Sequence, residues 1–415
     1  MVSQIKTHKI PEDWKIVKLK DICEIIRGTE PGSKTYNKEG KGYRFIRVSD
    51  LSKQVLEPVF TTEKKENLVF SNKDDILLAL DGVPGVVGRG YEGAISSGIR
   101  IIRPKNDNVN KDFIFYALQH GFVQKIIKSY TTGTTIKHAG KSVEFIKIPL
   151  PPLHEQQKIV EILSLVDLAI EKSNQLIEKT EKLKKLLMHY LLTKGIGHKE
   201  FKDTEIGKIP KDWKVVKLEE VVLKVSDIEH RMPKKVNKGI PFISVKYMMK
   251  YQDYEFYINI NDPDIEFISE EDYKNLSRRF NPEKGDIIYS RFGSIGHAKL
   301  IADDKPFIGS YSIVLIKPNK NIIDTAFLVS VLNSKKVRFQ TRILTKGSAN
   351  RNLHLKDIKN LRIPLPSLEE QKKIAEILLT IDKKLKLERK RKEKLEKIKK
   401  ILLDLLLTGK VRVKI

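Results

Sequence analysis

The chain repeats itself, and that duplication restricts the possible folds more than any other feature of the sequence. Ile10-Pro11-Glu12-Asp13-Trp14-Lys15-Ile16-Val17-Lys18-Leu19 recurs as Ile209-Pro210-Lys211-Asp212-Trp213-Lys214-Val215-Val216-Lys217-Leu218, and the only two tryptophans hold the same place in both copies. Ile148-Pro149-Leu150-Pro151-Pro152-Leu153-His154-Glu155-Gln156-Gln157-Lys158-Ile159 recurs as Ile363-Pro364-Leu365-Pro366-Ser367-Leu368-Glu369-Glu370-Gln371-Lys372-Lys373-Ile374. The first pair of segments is offset by 199 residues and the second by 215, so the second copy is about 16 residues longer between them.

Each copy reads as a globular head followed by one long helix. From Leu153 to Thr193 apolar residues fall at Ile159, Leu163, Val166, Ile170, Ile177, Leu183, Leu187 and Leu191. The second copy places Ile374, Leu378, Ile381, Leu385, Leu395, Ile398, Leu402 and Leu405 with the same 3–4 spacing. That period over several heptads predicts helices of about 40 residues, roughly 60 Å long, with a seam that needs a partner. The other helix is the economical partner, in an antiparallel coiled coil; self-association of two chains is the alternative. Ser367 followed by Glu370 predicts a capping box, and Gly195 and Gly409 stand where left-handed C-cap residues are expected.

Within the heads, Tyr43–Val48, Asp75–Leu80, Ile99–Arg103, Ile240–Val245, Asp286–Tyr289 and Ser312–Lys317 are short strand-like runs bounded by turn residues. Lys111–Ser129 and Thr325–Thr341 have helical spacing. The fold class is therefore α+β, with two globular domains and a pseudo-two-fold repeat. The expected segments are 1–151, the first head; 152–198, the central helix; 199–366, the second head; and 367–415, the C-terminal helix. Between a few shared marks the heads diverge. Asp75-Ile76-Leu77 with Gly82…Gly88 answers Asp286-Ile287-Ile288 with Gly293…Gly296, and Thr131-Thr132-Gly133-Thr134 answers Thr345-Lys346-Gly347-Ser348.

Charge then narrows the function. Lys and Arg outnumber Asp and Glu by 79 to 53, a formal net charge of +26, which suits a polyanionic partner. The lone Cys23 excludes an internal disulfide framework and reads as core. No stretch approaches 18 apolar residues and the first residues lack an apolar signal region, so neither a membrane span nor secretion is expected, and the cytoplasm is the default.

Antiparallel pairing of the helices would relate the heads by an approximate dyad, the symmetry of duplex DNA. Two divergent heads then imply an asymmetric, bipartite target whose spacer is set by helix length. The opening IPxDWxxVKL segments, the TEIGKIPKDW run at Thr204–Trp213, the Gly285–Gly296 loop, and the IPLPPLHEQQKIVEIL and IPLPSLEEQKKIAEIL helix starts resemble the specificity subunit of type I restriction–modification systems. The resemblance spans the chain. It implies that the heads are target recognition domains, each reading one half of a split double-stranded DNA sequence. It implies further that the helices dock two modification (methyltransferase) subunits, which restriction subunits (ATP-dependent nuclease and translocase) then join. S-adenosylmethionine, ATP and Mg are then expected only on those partners, with no cofactor and no catalytic residue on this chain. A two-headed nucleic-acid-binding scaffold outside restriction–modification, for RNA or non-specific DNA, is the other reading.

The residues agree with a non-catalytic role. No Asn/Asp-Pro-Pro-Tyr/Phe run of an amino-methyltransferase occurs. Gly140-Lys141-Ser142 lacks the glycine a phosphate-binding loop needs five residues earlier, where Thr135 stands. Asp264 with Asp272 and Lys274 mimics a nuclease triad only by the density of charge, and no histidine pair has metal-ligand spacing. DNA contacts need Lys, Arg, small hydroxyls, Asn or His on polar loops. In the first head those are Arg27, Lys34, Lys38, Arg44, Arg47, Arg89, Thr134, Thr135, Lys137 and His138; in the second, Arg231, Lys234, Lys235, Lys246, Arg291, His297, Lys346, Ser348, Asn350, Arg351 and Asn352.

Overall fold

A computed structural model of the chain describes residues 10–52, 57–228, 232–250, 256–261, 263–345 and 352–413. The chain forms two compact units, Met1–Lys172 with Lys392–Ile415, and Ser173–Arg391. These units do not follow the four consecutive segments expected from sequence. Both long helices, Leu153–Lys194 and Leu368–Leu407, give one end to each unit.

In the first unit the head holds an antiparallel four-stranded sheet in the order Cys23–Arg27, Ile99–Pro104, Ile76–Ala79, Val87–Gly88. Ile76–Ala79 is buried along its whole length, because helices Lys111–Gln119 and Gly121–Ser129 cover one face of the sheet and a second sheet lies on the other. That second sheet has five strands, in the order Tyr36–Asn37, Val59–Thr61, Tyr43–Ile46, Gly93–Ile95, Phe70–Ser71. Cys23 is core, its thiol pushed up to about 12 by burial. Strand Lys15–Lys18 enters the head antiparallel to Lys147–Leu150, which leaves it.

The second unit repeats the plan. Its four-stranded sheet runs Val222–Ser226, Ile313–Pro318, Ile287–Ser290, Ala298–Leu300, and Lys214–Lys217 pairs with Arg362–Leu365 at the threshold. A second four-stranded sheet (Lys235–Val236, Glu266–Ile268, Ile240–Ile243, Ile308–Gly309) includes the parallel pair of Ile240–Ile243 with Ile308–Gly309.

Each helical run expected in the heads is in fact two helices. Lys111–Gln119 is followed by Gly121–Ser129, and Thr325–Leu332 by Lys335–Leu344. The breaks fall where a side chain takes over an orphan amide. His120 Nδ1 accepts from Phe122 N at 3.2 Å, and Ser334 Oγ accepts from Val337 N at 3.3 Å.

The long helices meet antiparallel in both units. In the first, Ile159 and Leu163 share a core with Leu402, Leu406 and Leu407. In the second, Leu187, Leu191 and Leu192 share one with Ile374, Ala375 and Leu378. Leu385 is also buried, while Val166, Ile170, Ile177, Ile381 and Leu395 are half-buried. Leu183 and Ile398 depart from the expected stripe: they are 49% and 45% exposed. Polar residues take seam places instead. Lys184 Nζ lies 2.6 Å from Asp382 Oδ1 in the second unit, and Lys399 Nζ lies 2.7 Å from Asp167 Oδ1 in the first. Both members of each pair are offset by 215 residues from their counterparts, so one ion pair occurs twice.

Candidate nucleic-acid interface

The repeated motifs build a frame that aims the loops. Glu155, 1% exposed, accepts the indole N–H of Trp14 at 3.0 Å, and Glu370 accepts that of Trp213 at 2.9 Å. The neighbouring glutamines do one job twice. Gln156 Oε1 accepts from Asn110 N at 2.7 Å, and Gln371 Oε1 accepts from Asp324 N at 2.8 Å. Each helix start is thereby pinned to the first helix of its own head, whose N-caps are Asn110 and Asp324. A further side chain completes each carboxylate's contacts. Arg412 donates to Glu155 and to Asp13, while His198 spans Glu370 at 2.8 Å and Asp212 at 3.2 Å. The capping box expected at Ser367 is half formed: Glu370 N donates to Ser367 Oγ at 3.3 Å, but the Glu370 carboxylate is taken by Trp213, His198 and Ile196 N. Gly195 and Gly409 have φ of 64° and 70°, and a Cβ there would lie 2.8 Å from Trp213 and 2.4 Å from Pro11.

Away from this frame, three chain segments converge in each head: the end of the edge strand, the glycine loop, and the loop before the exit strand. In the first head Thr132 and His138 exchange backbone hydrogen bonds of 2.9 and 2.8 Å, closing a hairpin whose residues Thr134, Thr135 and Lys137 are exposed. Gly82 N donates to Lys137 O at 2.8 Å, and His138 Nδ1 lies 2.9 Å from Asp81 Oδ1. In the second head Leu353 N donates to Arg291 O at 2.9 Å, and Phe292 bridges Asn352.

The remaining candidates divide by what they touch. Arg27, Lys34, Lys234 and Lys246 are exposed. Lys38 pairs with Glu57 and Lys235 with Glu266, both on the surface. Arg89 pairs with Asp112 and lies over the Phe115 ring. Arg44 turns inward onto Asp50 and the Val59 carbonyl, and Arg47 is half-buried beside the same Asp50. Arg291 is 5% exposed, held by Asp227 and by Asn352 Oδ1. That guanidinium organises the loop junction from beneath, since burial and a carboxylate partner withdraw it from solvent. His297 is half-buried, with Nδ1 3.3 Å from Arg338. Arg231, Lys346, Ser348, Asn350 and Arg351 lie outside the described residues.

Sequence reasoning passed over two kinds of residue. Arg100 sits inside an apolar strand and gave no loop signal. The helix residues Leu183, Leu186 and Tyr190, and Ile398 and Ile401, are exposed apolar side chains, although spacing alone places Leu183 and Ile398 on the seam. No group of His, Cys, Asp and Glu suited to a metal occurs among the described residues, and no described helix is long and apolar enough to cross a membrane.

A fold of two such heads on paired helices defines a class of DNA-recognising subunit, and the comparisons give the family. Residues 11–182 and 210–397 match the type I restriction modification DNA specificity domain. The MjaVIII type I restriction enzyme specificity subunit of Methanocaldococcus jannaschii is 34% identical over 98% of this chain and 95% of its own length. The EcoBI specificity subunit of Escherichia coli is 24% identical over 88% and 78%. The crystal structure of the type I S subunit from M. genitalium has the same fold, with a TM-score of 0.60, 18% identity and 97% coverage of each chain. The chain belongs to the type I restriction–modification specificity subunits and carries their two DNA-recognition domains.

Proposed function

We propose that this chain is the non-catalytic reader of a type I restriction–modification complex, each head recognising one half of an asymmetric, bipartite duplex target. The observation that carries the reading is the contrast between frame and loops. The Trp–Glu lock, the Gln clamp and the helix ion pair are each made twice, whereas the junction loops have different residues and different charge pairing in the two heads. A common frame with divergent tips fits two readers of unlike half-sites. The exposed tips, Thr134, Thr135 and Lys137 with Arg27 in the first head and Lys234 and Lys246 in the second, are the contacts we assign to DNA. The loop residues Lys346, Ser348, Asn350 and Arg351, with Arg231, stay in the proposal on sequence grounds.

The helices set the spacer and dock two modification subunits, to which restriction subunits are added. Leu183 and Leu186 in one unit, and Ile398 and Ile401 in the other, are equivalent positions of the repeat and form two equivalent apolar landing places. S-adenosylmethionine, ATP and Mg belong on the partners, and the complex works in the cytoplasm. The test is a genome-wide map of methylated adenines in a host expressing this chain with its modification subunit. One split motif is expected, and removal of one heptad from each helix in phase should shorten its spacer. Absence of a motif, or a spacer unchanged by the deletion, would count against the reading or its ruler respectively.

A further inference from the structure

The first head carries a like-charge pair that the second head does without. Arg100 lies directly opposite Arg27 in the antiparallel register of Ile99–Pro104 with Cys23–Arg27. Like charges at directly opposed places destabilise a sheet. Here both guanidinium groups also turn to one carbonyl: Arg100 Nη1 donates to Ser97 O at 2.7 Å and Arg27 Nε to the same oxygen at 3.4 Å. Burial and then the Arg27 charge hold the Arg100 guanidinium below its usual range.

Asp81 partly offsets that repulsion, but among the described residues no carboxylate forms an ion pair with Arg27 or Arg100. Asp81 is engaged by His138, and Glu30 is taken by the Tyr36 hydroxyl at 2.6 Å and Ser97 Oγ at 3.1 Å. Lys137 and Lys141 add further exposed cations on the loop above.

The second head supplies the internal comparison. The sheet registers Arg100↔Leu78 and Val314↔Tyr289 give Arg100 the same place as Val314, which is fully buried. One residue past the last register pair, Ser226↔Leu315, stands Asp227, where the first head has Arg27. Asp227 neutralises Arg291 inside the second head. The scaffold therefore closes this junction with an apolar residue and an internal ion pair when nothing else is required. Two arginines held together at the cost of repulsion and desolvation point to an anion supplied from outside.

We propose that Arg27 and Arg100 form a phosphate clamp at the base of the Thr132–His138 hairpin, gripping one phosphodiester group of the DNA backbone at the first half-site. Paired guanidinium groups offer forked N–H donors that match phosphate oxygens, and the hairpin above is then seated at fixed depth over the bases. At the two equivalent places the second head has Asp227 and Val314, so the two heads grip DNA differently there. This rests on the DNA-reading function proposed above.

The test uses the complete complex with its modification subunits and a duplex carrying its methylated motif. Affinity is measured over a salt series for the wild type, Arg27→Gln and Arg100→Gln, with preference at each base scored by competition. Arg27→Gln is expected to weaken binding about tenfold, to lower the salt slope by about one unit, and to leave base preference unchanged. Its melting temperature should not fall, since the substitution relieves repulsion. An unchanged salt slope would overturn the clamp. Loss of preference at one base with the slope intact would make the arginines base readers instead. A fall in melting temperature that accounts for the lost binding would make them structural. If the wild-type complex selects no duplex at all, the DNA-reading function fails, a result visible before any variant is compared.

Discussion

The indole N–H of Trp14 donates to Oε2 of Glu155 across 141 residues of chain, and Trp213 and Glu370 repeat the contact across 157. Each bond ties the threshold of a head to the start of the helix that follows it. Replacing Trp213 by Phe keeps an aromatic ring but removes the pyrrole part of a fully buried indole together with its hydrogen bond to a charged group. A loss of about 1.5–3 kcal/mol is expected in urea unfolding. Trp14→Phe should cost a similar amount; no loss in either variant would mean that the rings alone hold the frame.

The buried Lys184–Asp382 pair lies in the helix seam, with side chains 18% and 8% exposed. Burial raises the Asp382 carboxyl above its ordinary range, opposed first by Lys184 and more weakly by Lys299 and Arg389. Lys184→Met strands the carboxylate and should cost about 3–5 kcal/mol. Lys184→Met with Asp382→Met should recover most of that, because two well-packed apolar residues can replace a buried pair. A double variant as unstable as the single one would show that the pair is net stabilising.

His120 gives the first unit an acid-sensitive point. Its Nδ1 accepts from Phe122 N, which leaves Nε2 as the protonated nitrogen, 3.5 Å from Asp404 Oδ1. Burial lowers its pKa below 6.5; Asp404 opposes that effect, and Lys410 and Lys125 reinforce it. The unfolded chain thus binds this proton before the folded one does. The stabilisation is complete above about pH 6.5 and declines as the pH falls from there through the lowered folded value. Denaturant midpoints from pH 7.5 to 5 should decrease, and His120→Asn, a competent N-cap, should flatten that decrease. An equal slope in both proteins would place the acid sensitivity elsewhere.

The exposed helix residues make a stoichiometric prediction. Leu183→Lys with Leu186→Lys should leave the chain folded and remove one modification subunit. Ile398→Lys with Ile401→Lys should remove the other. Mass photometry of the assembled complex should register one subunit lost per pair, and an intact assembly in both cases would move the docking surface off these faces.

Much of this architecture could be read from sequence because the repeat is dense at the frame. The helix starts and the C-cap glycines mark two helices of about 40 residues, and the helices run over 42 and 40 residues. The lock was hidden because Glu155 and Glu370 look like ordinary first-turn carboxylates, and only the fold brings them to the tryptophans. The ion pairs Asp167–Lys399 and Asp382–Lys184 share the 215-residue offset but were masked by the abundance of Asp, Glu and Lys. At the junction, sheet register decides the outcome. A loop-like Arg291 is withdrawn into the interior, and a strand-like Arg100 is brought beside Arg27. Register is set by the pairing of distant strands, which spacing along the chain does not encode.

The strand pairs at the thresholds have a wider consequence. Lys15–Lys18 lies hydrogen-bonded to Lys147–Leu150, and Lys214–Lys217 to Arg362–Leu365. The two ends of each head are therefore neighbours before any of the intervening chain is specified, and the entropy of closing that chain grows only slowly with its length. The second head, about 16 residues longer, sits on the same threshold as the first. Each head is thus a cartridge in a socket: a length of foreign sequence inserted between those strands would inherit the same threshold and the same frame.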